Sequence, residues 1–135
     1  MIIDGNNFTD SRGNLKCVNN FDFSNIKRFY HITNHSKFFI RAWHGHVHES
    51  KYFYVTSGKF LLGQVNLETE EIIKYYLNSE IPQIVKITKN HANGFMNLTD
   101  DGSIIVFSDK SLEESKNDDI RFPYDKWNIW EIKEQ

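Results

Sequence analysis

The chain has 135 residues, 39% of them hydrophobic and 15% aromatic, with a formal charge of −2. That is one domain's worth of chain, too short for a two-domain dinucleotide enzyme or an eight-stranded barrel with eight helices, yet apolar enough to fill a core. The near-neutral balance leaves no electrostatic footprint for wrapping nucleic acid.

No apolar run approaches the roughly 20 residues that span a bilayer, so no membrane partner is expected. The first residues reach Asp4 and Gly5 too soon for a secretory signal, and the expected address is the cytoplasm. Cys17 is the only cysteine, sits in a strand-like run without a neighbouring base, and reads as a packing residue. Short β-branched and aromatic runs then follow one another, broken by Gly, Asn, Asp and Ser. Strands are predicted over 26–32, 38–43, 52–56 and 60–67, the last two joined at Ser57-Gly58 as a hairpin. Further strands are predicted over 72–77, 84–88, 94–99 and 103–108, with a turn at Asp101-Gly102. The one helical stretch is 112–117. From about Asp118 the tail carries Phe122, Tyr124, Trp127 and Trp130, which should pack on the body or on a second subunit. Such spacing predicts an all-β sandwich or small barrel, a single domain over 1–135 with its aromatic tail over 118–135.

The densest chemistry lies between Arg41 and Lys51. On a strand His44, His46 and His48 share a face, because side chains alternate with a period of two. Alone, three such imidazoles suggest a zinc, iron or manganese site. The spacing resembles the cupin family's first motif: His44-x-His46, four residues, Lys51, six residues, Gly58. Lys51 stands where that family has a carboxylate ligand. The second motif's spacing is kept from Thr88 to Asn97, with Asn90 in the glycine's place, Asn93 in the ligand histidine's, and Asn97 matching. Asn at position 90 suits a left-handed backbone. An ammonium opposes a divalent cation in the same pocket, so this pattern implies a cupin jelly roll with no metal and no cofactor.

Three stretches resemble the dTDP-4-dehydrorhamnose 3,5-epimerase family: Asp10-Ser11-Arg12-Gly13, Arg41-Ala42-Trp43-His44, and Asn93-Gly94-Phe95 through Asp100, with the segment from Ile120 to Trp130 similar to its close. Two stretches are similar to the nucleotide-sugar 3,4-ketoisomerases: Ile26-Lys27-Arg28-Phe29-Tyr30 and Arg41-x-x-His44-x-His46. Both resemblances imply a homodimer acting on a nucleotide-diphosphate sugar, in surface polysaccharide synthesis. They also imply removal of a proton next to a 4-keto group, with return of a proton to another face or atom. His44 would be the base, Asp125 its orienting aspartate, and Lys51 the cation opposing the enolate oxygen. Arg12 and Arg41 would hold the diphosphate, with His46, Asn93 and Phe95 lining the pocket. The epimerase's donor tyrosine falls on Val106, with Phe107 beside it, so neither can give a proton. Tyr30 is the expected substitute, provided neighbouring cations lower its pKa. Beside these stand blander readings: Arg12 as a turn residue, Asp125 as a cap, Tyr30 as an ordinary strand aromatic. Two other function classes also remain, a sugar-binding module without catalysis and a metal cupin.

Overall fold

The computed structural model describes residues 1–131, almost all of them in antiparallel strands and the turns between them. In chain order these are β1 (Ile2–Asp4), β2 (Asn6–Asp10), β3 (Gly13–Cys17), β4 (Arg28–Asn34), β5 (Ile40–His46) and β6 (Lys51–Ser57). They continue as β7 (Lys59–Asn66), β8 (Ile72–Asn78), β9 (Gln83–Ile87), β10 (His91–Asn97) and β11 (Gly102–Ser108), then a short helix α1 (Leu112–Lys116) and β12 (Ile120–Arg121). One sheet runs β1-β9-β6-β11-β4, the other β12-β5-β10-β7-β8, and β2 with β3 makes a separate hairpin. The two large sheets face each other as a jelly-roll sandwich. The eight strands read from sequence all form, as β4 to β11, with ends displaced by at most three residues. The sequence reading missed β1, the β2–β3 hairpin and β12.

Alternation explains the inner core. On β6, Phe53 and Val55 point inward, and on β11 Ile104 and Val106 do; Phe60 and Leu62 of β7, Val85 of β9 and Phe95 of β10 meet them. Gly58, at φ 77° between β6 and β7, makes the tight turn that only glycine takes without strain. Asn90 adopts φ 65°, the left-handed conformation expected of it.

Strands β7 and β10 do not alternate; nearly every residue in them is buried. Their second face is covered as well, which turns a half-buried pattern into a continuous one. The cover is the tail: Trp127, Ile129 and Trp130 pack with Trp43, Leu61, Val65 and Met96 on the outer side of the second sheet. Trp43 meets Trp127 edge-on at 5.6 Å and Trp130 at 5.1 Å. Each indole N–H finds an acceptor: Trp43 and Trp130 both donate to the carbonyl of Tyr124, and Trp127 donates to Glu70. The tail was expected over 118–135; residues 132–135 lie outside the described residues.

The β2–β3 hairpin stands apart, with every β2 side chain exposed. Cys17, half-buried, closes its base. No helix among the described residues is long and apolar enough to cross a membrane.

Candidate active site

A cavity of about 650 Å³ opens between the two sheets, walled by β4 and β6 on one side and by β5 and β10 on the other. The segment carrying α1 and β12 completes its rim. Alternation on β5 turns His44 and His46 into it; alternation on β4 does the same for Arg28 and Tyr30. Lys51 enters from the first residue of β6, while Asn93 and Phe95 come from β10.

His44 is half-buried, with Nδ1 lying 3.8 Å from Asp119 Oδ1, close enough for an ion pair and too long for a hydrogen bond. Burial lowers its pKa below 6.5, helped by Lys51 and Arg121 and opposed by Asp119, so the imidazole is a neutral base near pH 7. Burial alone would raise the Asp119 carboxyl; the hydrogen bond and charge of Arg121, with His44 and His46, outweigh it and hold the carboxyl below its ordinary value. Arg121 Nε donates to Asp119 at 2.9 Å.

His46 is almost wholly buried, and its Nδ1 lies 2.6 Å from the carbonyl oxygen of Asp118. A carbonyl can only accept, so Nδ1 carries the proton and Nε2 keeps its lone pair. That Nε2 is buried without a hydrogen-bond partner. Asp118 also accepts backbone N–H groups from Val47, His48 and Glu49 at 2.9, 2.8 and 3.1 Å. This clasp ends β5 at His46 and turns His48 out to solvent, so the expected third imidazole does not join the other two. Among the described residues, no three His, Cys, Asp or Glu side chains converge on a common metal position.

Lys51 is 8% exposed, and burial lowers its ammonium pKa, with Glu49 and Asp119 pulling upward and Arg28 and Arg121 adding to the fall. Tyr30 departs from expectation. Burial pushes its phenol up to about 12, outweighing the pull of Arg28, so at neutral pH it rests in its protonated form rather than ionising easily. Its ring lies 5.0 Å from the Arg28 guanidinium and 5.9 Å from the Lys51 ammonium. Tyr30 is also the register partner of Val106, so the phenol stands one strand across from the position where the resemblance expected it.

Arg41 reaches the cavity with its Nε donating to Asn34 at 2.8 Å, and Asn93 donates to the His44 carbonyl at 3.4 Å. Arg12 does not line this cavity: it sits at the hairpin turn, 89% exposed, paired with Asp10 at 2.7 Å. Asp125 lies on an exposed turn of the tail, also outside the lining, and Asp119 stands beside His44 instead. The reason is register: β12 pairs Arg121 with His44 and Ile120 with Gly45, which brings the residue before Ile120 to the cavity. Sequence reading also missed Arg28, Lys116 and Arg121 as lining cations. The first was within reach, since residues two apart on one strand share a face.

A family model described as "FdtA: WxcM-like, C-terminal" matches residues 1–128. No curated protein matches the chain in sequence. Among solved structures, the dTDP-4-dehydrorhamnose 3,5-epimerase of Sulfolobus tokodaii is similar at TM-score 0.79 and 22% identity, covering 95% of this chain and 80% of that one. The epimerase of Bacillus anthracis, solved with TDP and pyrophosphate, gives TM-score 0.79 at 17% identity over 94% and 78%. The capsular polysaccharide assembling protein CapF of Staphylococcus aureus gives 0.64 at 21% identity, over 70% of this chain and only 26% of its own length. At such identities these likenesses establish the fold, the cupin jelly roll, while the family match covers nearly the whole sequence. The chain belongs to the FdtA family, of the WxcM-like C-terminal type.

Proposed function

We propose that this protein is a metal-independent isomerase of a nucleotide-linked 4-keto-6-deoxy sugar, working by proton transfer next to the carbonyl. One observation carries the reading: a neutral imidazole (His44) on one wall of the cavity faces a buried ammonium (Lys51) and a protonated phenol (Tyr30) on the other. His44 takes a proton from the carbon beside the carbonyl, and the charge moves to the carbonyl oxygen as an enolate. Lys51 opposes that charge in a desolvated site, where a fixed cation counts most. Tyr30 then returns a proton from the other wall, giving an epimer, and solvent restores both groups. Lining cations Arg28, Arg41, Lys116 and Arg121 outnumber the acid Asp119, which suits a diphosphate. A relative of the same fold was solved with TDP and pyrophosphate bound, which agrees with that ligand class.

A second reading, 3,4-keto-isomerisation, is favoured by His44 and His46 standing two apart on one wall. Return of the proton to the former carbonyl carbon on the same face, with the 3-hydroxyl proton passing to the 4-oxygen, gives the 3-keto sugar.

The chain works as one catalytic domain over 1–135, at the cytoplasmic stage of surface polysaccharide synthesis, and as a homodimer. Two-stranded hairpins are marginal alone in water, and this one exposes Phe8 and Leu15. The outer face of the first sheet exposes Phe23 and Phe29, and a second copy would cover both surfaces. Contact between Arg12 and substrate needs that second copy.

The test is deuterium uptake from heavy water into a panel of dTDP-4-keto-6-deoxy sugars, read by mass spectrometry with product identification. Exchange is expected, and His44→Gln should lower its rate by about 10²–10⁴ with the fold intact. Wild-type protein that binds the panel without exchange would make it a binding module and overturn the proposal.

A further inference from the structure

Glu49 is the one acidic side chain among the described residues that is fully buried, and the proton transfer proposed above does not touch it. Its Oε1 accepts from Ser115 of α1 at 2.6 Å and lies 3.4 Å from His46 Nδ1. Its Oε2 accepts from Ser108 of β11 at 2.6 Å and lies 3.6 Å from Arg28 of β4. Four segments therefore meet on one carboxylate: β4, β5 and α1 of the cavity wall, and β11 behind it. Burying an ionised group is costly unless it is paired and hydrogen-bonded, and a neutral amide of the same shape could satisfy both serines. Arg28 faces the charge at one oxygen, and at the other, 3.4 Å away, is the protonated edge of His46.

We propose that Glu49 is a positioning residue: with the Asp118 carbonyl it holds the proton on His46 Nδ1, and its charge gives His46 a proton affinity distinct from that of His44. The groups facing His46 are Glu49, Lys51, Asp118, Asp119, His44 and, on the neighbouring strand, its register partner His91. Burial and Lys51 work against protonation of His46; Glu49 and Asp118 work for it. His44 is governed by burial and by Lys51, Arg121, Asp119 and His46, and the carboxylate paired with it is Asp119 at 3.8 Å. The two imidazoles thus pair with different carboxylates, His46 with Glu49 and His44 with Asp119. The catalytic consequence, a lone pair kept on His46 Nε2 at the cavity wall, rests on the isomerase reading. The difference in affinity does not.

The experiment is an NMR titration of the imidazole nitrogens in the full, ligand-free chain, for wild type and for Glu49→Gln. Glutamine keeps both serine contacts, one as acceptor and one as donor, so α1 stays docked and unfolding stays cooperative. The expected result is a fall of about one pH unit in the His46 midpoint, with that of His44 moving far less. An unmoved His46, or equal movement of both, overturns the proposal. Should the variant not fold, the wild type still decides: coupling is reciprocal, so the Glu49 carboxyl carbon must show an inflection at the His46 midpoint, and a flat signal there is the contrary result. Because no sugar enters either titration, failure of the deuterium assay would sink the isomerase and leave this result standing.

Discussion

His44 and Asp119 sit 3.8 Å apart, within ion-pair reach, so each feels the other's charge. Asp119→Asn should lower the His44 midpoint, since the carboxylate favours its protonated form, and slow deuterium uptake by about tenfold to a hundredfold; Asp125→Asn should leave both unchanged. Loss of uptake in the Asp125 variant alone would restore the role first read for that residue. The pH profile follows from the same neighbourhood. The His44 pKa lies below 6.5, so on acidification the base is lost only as pH drops through that depressed value, and the acid limb of kcat/KM should lie under 6.5. Burial likewise depresses Lys51, so the alkaline limb, where the cation is lost, should fall under 10.5. At this scale the sequence was readable wherever chemistry is local: His44, His46 and Lys51 lie within eight residues, and strand alternation aims the first two. Asp119 was not readable, because its approach depends on a pairing between β12 and β5 some seventy-five residues apart. His48 failed for the same reason, as Asp118, distant in sequence, ends the strand before it.

The eight strands β4 to β11 were legible from runs of β-branched and aromatic residues cut by turn formers, but their order in the sheets and the depth of burial on β7 and β10 were not. That depth depends on the tail returning over the second sheet, a non-local contact that alternation does not encode. Gly63 shows how close the fit is: a Cβ there would lie 2.5 Å from the Trp43 ring and 2.6 Å from Ile129 Cδ1. Gly63→Ala should therefore cost about 1–3 kcal/mol by overpacking, measured as a lower urea midpoint, while leaving the cavity on the other side of the sheet able to bind nucleotide sugar. A neutral result would mean that the tail shifts freely, contrary to its three satisfied indoles. The hairpin was invisible to sequence reading because Asn6 to Cys17 carries few β-branched residues and gains its pairing without a core of its own.

For the whole molecule, the exposed hairpin and the aromatic outer face of the first sheet belong to one assembly question. Light scattering at micromolar concentration should give twice the chain mass, and replacing Phe8 and Leu15 together by serine should shift the particle toward one chain. A monomeric wild type would refute the dimer and leave Arg12 without a substrate to reach. The clasp at Asp118 has a different reach. One carboxylate and one carbonyl from the same residue anchor the strand exit after His46, fix that ring's tautomer and, through the next residue, face His44. Residues 41–51 and 108–121 are thus a single cassette split across the chain. An engineer who transplants the histidine motif into another jelly roll without its distant half would carry over two imidazoles and none of their chemistry.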